Sequence, residues 1–379
     1  MDTSLKLEKL PPRLSVYIDF LRIFAALLVM ISHYPLTAAM QHPLEATNYA
    51  YDAVVVFFVL SGYVISYSAQ VLERNANTYI ANRLARILPV AISAVLFSSA
   101  LFFAFHDRGP HIYGNQPAIS FWLSTTLQSI TFTNQIWNNN LIPFYNGPYW
   151  SLAIEVWCYI LYASVIYFRG WSRIAALVLI AIIVGPKTII MFPMWLAGSA
   201  AFHLRHKLQL PKSILILILI LPVAAYWAIQ LPLPRDWSYP YAGSEVEALI
   251  GFGLEGAANF GWGYILAALV ALHLYAMGHL CKNLPVNFNN IIVRSVRKIS
   301  GYTFTLYLFH IPTITLLLAL SGTSVLDFSL QDRILMYAMI FLVIYLIGNI
   351  VEHKKATFRA WAHRAIGPIS QSYKPSLKV

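Results

Sequence analysis

Long apolar stretches recur along the whole chain, separated by short polar segments that contain most of the charges. A helix needs about 20 apolar residues to cross a bilayer core roughly 30 Å thick. Ten stretches approach this length: residues 18–38, 53–70, 87–105, 149–168, 172–186, 188–204, 213–230, 257–278, 300–320 and 334–351. The pattern therefore predicts an all-α fold, a polytopic membrane bundle of about 10 transmembrane helices.

Residues 118–136 are also apolar but contain many Ser, Thr, Asn and Gln residues, which favours a re-entrant or interfacial helix over an eleventh span. The distribution of Lys and Arg supports this choice, because cytoplasmic loops of membrane proteins retain positive charge. With ten spans and a cytoplasmic N-terminus, most basic residues fall on the cytoplasmic side. The predicted organisation is a cytoplasmic tail over 1–17, a transmembrane domain over 18–351 and a basic cytoplasmic tail over 352–379.

Composition narrows the function classes. The chain is 59% hydrophobic and 11% charged, against roughly 25% charged residues in soluble domains, so a soluble protein is excluded. The net charge of +11 comes from short basic runs between apolar blocks, as expected of loops next to membrane lipid and not of a nucleic-acid surface. No metal site is predicted, because His203 and His206 have no third ligand nearby.

Four ionisable residues inside predicted spans stand out: Arg22, His33, Glu155 and His310. Burying such a group in lipid costs several kcal/mol, so each is a candidate functional residue. The alternative is that each only joins helices by hydrogen bonds, and for His310 this structural role is favoured. Arg22 and His33 share one helix face, since eleven positions make about three turns and separate them by roughly 16 Å.

Glu155 and His33 are predicted to lie at matching depths, roughly 9 Å and 8 Å from the outer face. A carboxylate beside a buried imidazole fixes its tautomer and raises its basicity, as a general base requires. The sequence gives depth but not azimuth, so this contact is a hypothesis. Asp19, three residues before Arg22, offers a simple ion-pair partner as the alternative for both charges.

Arg83 and Arg86 are neighbours on one helix at the cytoplasmic mouth of the third span. Two adjacent guanidinium groups suit phosphates, whereas a basic collar that anchors the span against anionic lipid is the alternative. The run around Ser61 and Gly62 contains small residues that permit close helix approach. Packing is its first predicted role, and cavity lining is its second.

Six motifs in this order resemble those of the acyltransferase 3 family, bacterial membrane O-acyltransferases that modify cell-surface and exported sugars. They are FLRIFAALLVMISH, VVFFVLSGYVIS, NRLARILP, YWSLAIE, GYTFTLYLFHIP and a final span ending in Glu352. The resemblance covers nearly the whole chain. It departs after Glu352, where HKKATFR stands in place of a proline found in many relatives, and over the glycine-rich residues 244–278.

The resemblance implies an O-acyltransferase of the bacterial inner membrane, with both termini cytoplasmic. It would move an acyl group, most commonly acetyl, from acyl-CoA to a hydroxyl of a polysaccharide or glycolipid, with acetyl-CoA as donor substrate and no permanently bound cofactor. His33 would be the general base and Glu155 would orient it. Arg22, Arg83 and Arg86 would hold the phosphates of the coenzyme.

Seven residues are further candidates for lining the substrate tunnel: Ser61, Tyr63, Trp150, Ser151, Tyr302, Tyr307 and His310. The main alternative to an enzyme is a membrane transporter of a small anionic or acylated metabolite, because buried charges on spans also mark transport pathways.

Overall fold

The computed structural model describes residues 9–33, 49–73, 75–105, 121–144, 146–230, 242–321, 329–352 and 355–366. Within these ranges, all regular secondary structure is helical. The fourteen α-helices are α1 (Pro12–His33), α2 (Tyr49–Tyr67), α3 (Ala76–Phe105), α4 (Trp122–Ile130), α5 (Tyr149–Tyr167), α6 (Gly170–Val184), α7 (Pro186–Lys207), α8 (Lys212–Gln230), α9 (Ala242–Ile250), α10 (Phe260–Leu280), α11 (Ile291–Ser300), α12 (Thr303–Ser321), α13 (Leu330–Val351) and α14 (Lys355–Ile366). A π-helical turn, Ser68–Leu72, continues α2.

The polytopic helix bundle is confirmed. Each predicted span coincides with a helix, and eight of the described helices are long and apolar enough to cross a membrane. The two remaining predicted spans, 172–186 and 188–204, correspond to α6 and α7. Helix α6 has only 15 residues, and α7 includes Lys187 in its first turn and Arg205, His206 and Lys207 in its last.

The helix predicted over 118–136 is shorter than expected. Helix α4 has 9 residues, Trp122–Ile130, and is followed by turns through residue 136. Nine residues rise only about 14 Å, too little to cross a bilayer. Thr131 Oγ1 donates to the carbonyl of Leu127 at 2.8 Å, which shows how hydroxyl side chains satisfy the end of this helix. Residues 118–120 lie outside the described ranges, as do 34–38, 231–241 and, within the predicted tails, 1–8, 353–354 and 367–379. The first helix begins at Pro12, inside the predicted N-terminal tail.

Helices α11 and α14 occupy segments that were predicted to be a cytoplasmic loop and a cytoplasmic tail. Helix α11 begins after Asn290, whose side chain accepts a hydrogen bond from the Ile292 backbone at 2.8 Å. This is an N-cap signal that the sequence contains. Helix α14 packs against α3, so tertiary contact orders a segment whose basic composition alone indicates a tail.

The closest approach in the bundle is the crossing of α2 and α7, where two glycines face each other's helix. A Cβ on Gly62 would lie 1.9 Å from the Trp195 carbonyl oxygen, and one on Gly198 would lie 1.9 Å from the Val59 carbonyl oxygen. Neither helix has room for a methyl group. The packing role predicted for the small residues at Ser61 and Gly62 is therefore confirmed.

Replacing Gly198 with alanine is expected to destabilise the protein by about 1–3 kcal/mol or more, because the new Cβ forces α2 and α7 apart. The thermal midpoint of the detergent-solubilised protein should fall clearly. Gly147→Ala is the matched control, since no atom lies within 4 Å of its added Cβ. Equal midpoints for the two variants would show that the crossing is not tight.

Candidate functional site

A cavity of about 640 Å³ opens at one end of the bundle, where α3 and α12 begin and α13 ends. Five guanidinium groups and three carboxylates line it, contributed by Arg22, Arg83, Arg86, Arg297, Arg359, Asp19, Glu73 and Glu352. So many charges in one cavity between membrane-spanning helices mark a site for a polar or charged ligand. We call this space the basic cavity.

A second, narrower space of about 60 Å³ continues from the basic cavity. The two share Arg22, Arg86, Thr303 and Phe304 as lining residues, so these four surround the constriction between them. Beyond it, the narrow pocket has polar groups from Ser61, Ser151, Glu155 and Tyr307 and an apolar wall from Val54, Phe57, Phe58 and Leu152. A ligand with a charged head and a thin arm fits this shape.

The arginines of the basic cavity differ in how far the protein already neutralises them. Arg83 is buried and donates to Glu73 and, at 3.0 Å, to Ser68. Asp19 accepts from Arg297 at 2.6 Å and lies 3.7 Å from Arg22. By contrast, Arg86 forms no ion pair or hydrogen bond with the described residues. Arg86, at the constriction, is therefore the cation most available to an incoming anion.

Asp19, the predicted alternative partner of Arg22, thus lies beside Arg22. The shorter bond of Asp19, however, is to Arg297. The two residues of that bond are 278 positions apart in the chain. Sequence spacing gives no signal for such a contact.

Glu155 receives a hydrogen bond from its own helix. The Tyr159 hydroxyl donates to Glu155 Oε1 at 2.6 Å. Because the Tyr159 hydroxyl proton already points to Glu155, the Ser61 hydroxyl must donate to the Tyr159 oxygen, at 3.2 Å. The Trp195 indole in turn donates to the Ser61 oxygen at 3.3 Å. This chain of donors ends on the carboxylate and holds it in one orientation in the narrow pocket.

His33 lies next to His310, with ring centroids 5.3 Å apart. His33 Nδ1 is 2.7 Å from the Val29 carbonyl oxygen, and His310 Nδ1 is 3.0 Å from that of Leu306. A carbonyl can only accept, so both Nδ1 atoms carry protons and the neutral form of each ring has its lone pair on Nε2. The Nε2 atom of His310 is fully buried and has no hydrogen-bond partner among the described residues.

Tyr307 connects the narrow pocket to this histidine pair. Its hydroxyl lies 2.6 Å from Ser151 Oγ, and both residues line the pocket. Its ring centroid is 6.3 Å from that of His310. The order from the basic cavity is therefore constriction, narrow pocket, Tyr307, His310 and His33.

The predicted direct contact between Glu155 and His33 is wrong. Among the residues that the structure describes, no hydrogen bond or ion pair joins them: His33 is bonded to its own helix and Glu155 to Tyr159. Glu155 shares the narrow pocket with Arg22 and Arg86. Equal depth therefore did not make the two side chains partners: Glu155 lines the narrow pocket and His33 does not.

Three predicted tunnel residues lie elsewhere. Tyr63 is fully buried against Phe202. The Trp150 ring occupies the space beside Gly256, where a Cβ would be 2.6 Å from it. Tyr302 donates to Asn349 at 2.8 Å and packs towards α13. Neither cavity includes any of these three in its lining, and neither includes His310, a fourth tunnel candidate, or His33.

Several residues of the site were not predicted from the sequence. Glu352 was noted only as the end of a span, yet it is buried and accepts from the Thr305 backbone at 3.1 Å and hydroxyl at 2.7 Å. Tyr159 could have been found, because it is four residues after Glu155 and so on the same helix face. Glu73 and Arg359 gave no recognisable signal.

The fold and the site define an integral-membrane helical protein in which a basic cavity adjoins a narrow polar pocket, with a pair of histidines packed near the Tyr307 end of that pocket. The acyltransferase domain of the acyltransferase 3 family matches residues 15–352, and the chain belongs to this family. The resemblance inferred from its motifs is confirmed.

Over 145 residues, the chain is 26% identical to a protein of Shigella phage Sf6 described as an O-acetyl transferase. This segment covers 38% of the chain and 43% of the phage protein, so the match spans less than half of that relative. No solved structure matches the chain.

Proposed function

We propose that this protein is an O-acyltransferase of a bacterial inner membrane. It moves an acyl group, with acetyl expected, from cytoplasmic acyl-CoA to a hydroxyl of a cell-surface or exported polysaccharide or glycolipid. Family membership and the phage O-acetyl transferase support this activity. The observation that carries the proposal is the basic cavity and the narrow pocket that adjoins it at Arg22 and Arg86 and reaches Tyr307, whose ring centroid lies 6.3 Å from that of His310.

The basic cavity receives the nucleotide end of the donor and the narrow pocket receives its thioester arm. Arg86 and Arg22, at the constriction, bind phosphate oxygens, for which guanidinium groups are well suited. A water-sized group needs about 10–15 Å³, so a pocket of about 60 Å³ holds only a few such groups. An acetyl thioester fits this space better than a long acyl chain does.

Arg83, in this proposal, stabilises the cavity wall instead of binding phosphate. It is buried and already paired with Glu73, so a phosphate would have to compete with a carboxylate that the fold holds in place. Glu155 acts at the donor end as well, where its charge balances Arg22 and Arg86 while the pocket is empty.

Replacing Arg86 with Gln is expected to raise the KM for acetyl-CoA by about 10- to 100-fold and to change kcat less. The lost interaction is a charge-assisted hydrogen bond to phosphate, worth about 1.5–3 kcal/mol. Steady-state release of free CoA measures both constants. Arg294→Gln is the matched control, since Arg294 is an exposed arginine of α11 outside both cavities. An unchanged KM in Arg86→Gln would exclude it as a phosphate ligand.

At the other end of the path, His33 is the general base. Its Nε2 lone pair accepts the proton of the acceptor hydroxyl as that oxygen attacks the thioester carbonyl. The carbon–sulfur bond then breaks, and the leaving thiolate takes the proton from the imidazolium, which gives the ester and free CoA. The hydroxyls of Ser151 and Tyr307, at the end of the pocket, lie 2.6 Å apart, and each lies within 3.3 Å of the Pro148 carbonyl oxygen. One of them turns its proton from Pro148 to the oxyanion that forms on the carbonyl.

The activity is tested by supplying radiolabelled acetyl-CoA to membranes with and without the protein. The expected result is release of free CoA and transfer of label to glycan only when the protein is present. A transporter moves its substrate without breaking the thioester, so the absence of free CoA would contradict the proposal. Comparing the surface and secreted glycans of the two cell types by NMR then identifies the acceptor, through the O-acyl signal that is lost.

A further inference from the structure

Helix α14 begins after residue 352, where the match to the family domain ends. It packs against α3, the helix that carries Arg83 and Arg86. One of its side chains, Arg359, lines the basic cavity. This segment therefore completes the wall of a cavity that the family domain forms otherwise by itself.

The faces of α14 have different surroundings. Ala362 is buried, with 2% of its surface exposed, whereas Phe358 and Trp361 are 38% and 60% exposed. Exposed aromatic rings on a basic helix are typical of an element that lies in the membrane interface. Arg359 is exposed towards the cavity and makes no ion pair or hydrogen bond with the described part of the chain. It is free to bind an anion.

The guanidinium groups occupy two positions along the path. Arg22 and Arg86 line both spaces and so mark the constriction. Arg359 and Arg297 line only the wide part. Arg297 is bonded to Asp19, which also lies beside Arg22, so one carboxylate connects the two positions.

We propose that Arg359, the one arginine of the wide part without an ion pair to the described residues, binds the phosphate of the donor that is furthest from the thioester. In coenzyme A this group is the ribose 3′-phosphate, which is separate from the diphosphate that follows the thioester arm. Two anionic groups on the ligand thus match two positions of guanidinium groups in the cavity. This inference rests on the proposed function, because it takes acyl-CoA as the donor.

The test compares binding of coenzyme A and of 3′-dephospho-coenzyme A to the full-length protein in lipid nanodiscs. Arg359→Gln is expected to weaken coenzyme A about three- to tenfold, the range for an exposed charge pair at a rim. It should leave the affinity for dephospho-coenzyme A unchanged. Arg364→Gln is the matched control: Arg364 is exposed, lies five residues later and so points about 140° away around the helix. It should bind both ligands as the unmodified protein does.

The outcomes separate this inference from the proposed function. If Arg359→Gln lowers the affinity for both ligands equally, or for neither, the 3′-phosphate is not the partner of Arg359. The inference is then overturned, while acyl-CoA remains the proposed donor. If the folded, unmodified protein binds no coenzyme A, the result contradicts both the proposed donor and this inference. Arg359→Lys keeps the positive charge but lacks the planar guanidinium group. If it recovers part of the preference for coenzyme A that Arg359→Gln loses, the result would support a phosphate contact.

Discussion

Replacing His33 with Ala is expected to lower the rate of acyl transfer by roughly 10²- to 10⁴-fold, the usual contribution of a positioned general base. The acceptor hydroxyl would have to lose its proton to water, because the neighbouring imidazole of His310 is fully buried. The donor should still bind, since Arg22 lies roughly 16 Å away along the same helix. The expected signature is therefore a lower kcat with an unchanged affinity for coenzyme A.

The fold should survive this substitution. His33 lies at the end of α1, is only partly buried and forms its hydrogen bond with Val29 of its own helix. His273→Gln is the matched control, because this imidazole is bonded to Tyr17 at 2.5 Å and Leu219 at 2.8 Å and joins three helices. The control should lower the thermal midpoint but keep transfer in the folded fraction. Near-normal transfer by His33→Ala would end the assignment of His33 as the base.

Most of the fold was predictable because an apolar stretch long enough to span a bilayer has few alternatives to a helix. The relation between Arg22 and His33 was predictable for a similar reason, since both belong to one helix with a fixed rise. In the structure, Arg22 lines both cavities, and His33, at the end of the same helix, lies against His310. Their roles stay predictions until the variants are measured.

What the sequence did not give was the contact between different helices. Depth placed Glu155 level with His33, but azimuth depends on how α1 and α5 pack, and the partner of Glu155 proved to be Tyr159 in its own helix. A structural role was favoured for His310, and the neighbour that the fold places against it, His33, could not be predicted from its own span. Both outcomes depend on tertiary packing that hydrophobic periodicity does not encode.

The ion pair of Arg83 and Glu73 illustrates the same limit. The spacing of Arg83 and Arg86 suited a phosphate site, although spacing alone favoured a basic collar against lipid. Spacing cannot show that a buried carboxylate ten positions earlier already pairs with one of them. A buried charge must be paired, because desolvation costs several kcal/mol for each ion. The two arginines therefore differ in function although they are adjacent on one helix face.

Replacing Arg83 with Met is expected to lower the free energy of unfolding by about 3–5 kcal/mol, because it leaves Glu73 buried without its counter-ion. The second variant, Glu73→Gln, leaves Arg83 uncompensated and should cost a similar amount. The double variant removes both charges. Its loss in free energy of unfolding should be clearly smaller than the sum of the losses of the two single variants. Denaturation of the three proteins in the same detergent measures this cycle.

The double variant also decides whether Arg83 binds phosphate. Its cavity wall no longer contains the Glu73–Arg83 charge pair, while Arg86 and Arg22 are untouched, so its affinity for coenzyme A should stay close to that of the unmodified protein. An affinity as low as that of Arg86→Gln would mean that Arg83 exchanges its carboxylate partner for a phosphate when the donor enters. In that case the ion pair between Glu73 and Arg83 breaks when the donor binds, and the guanidinium of Arg83 belongs to the binding site.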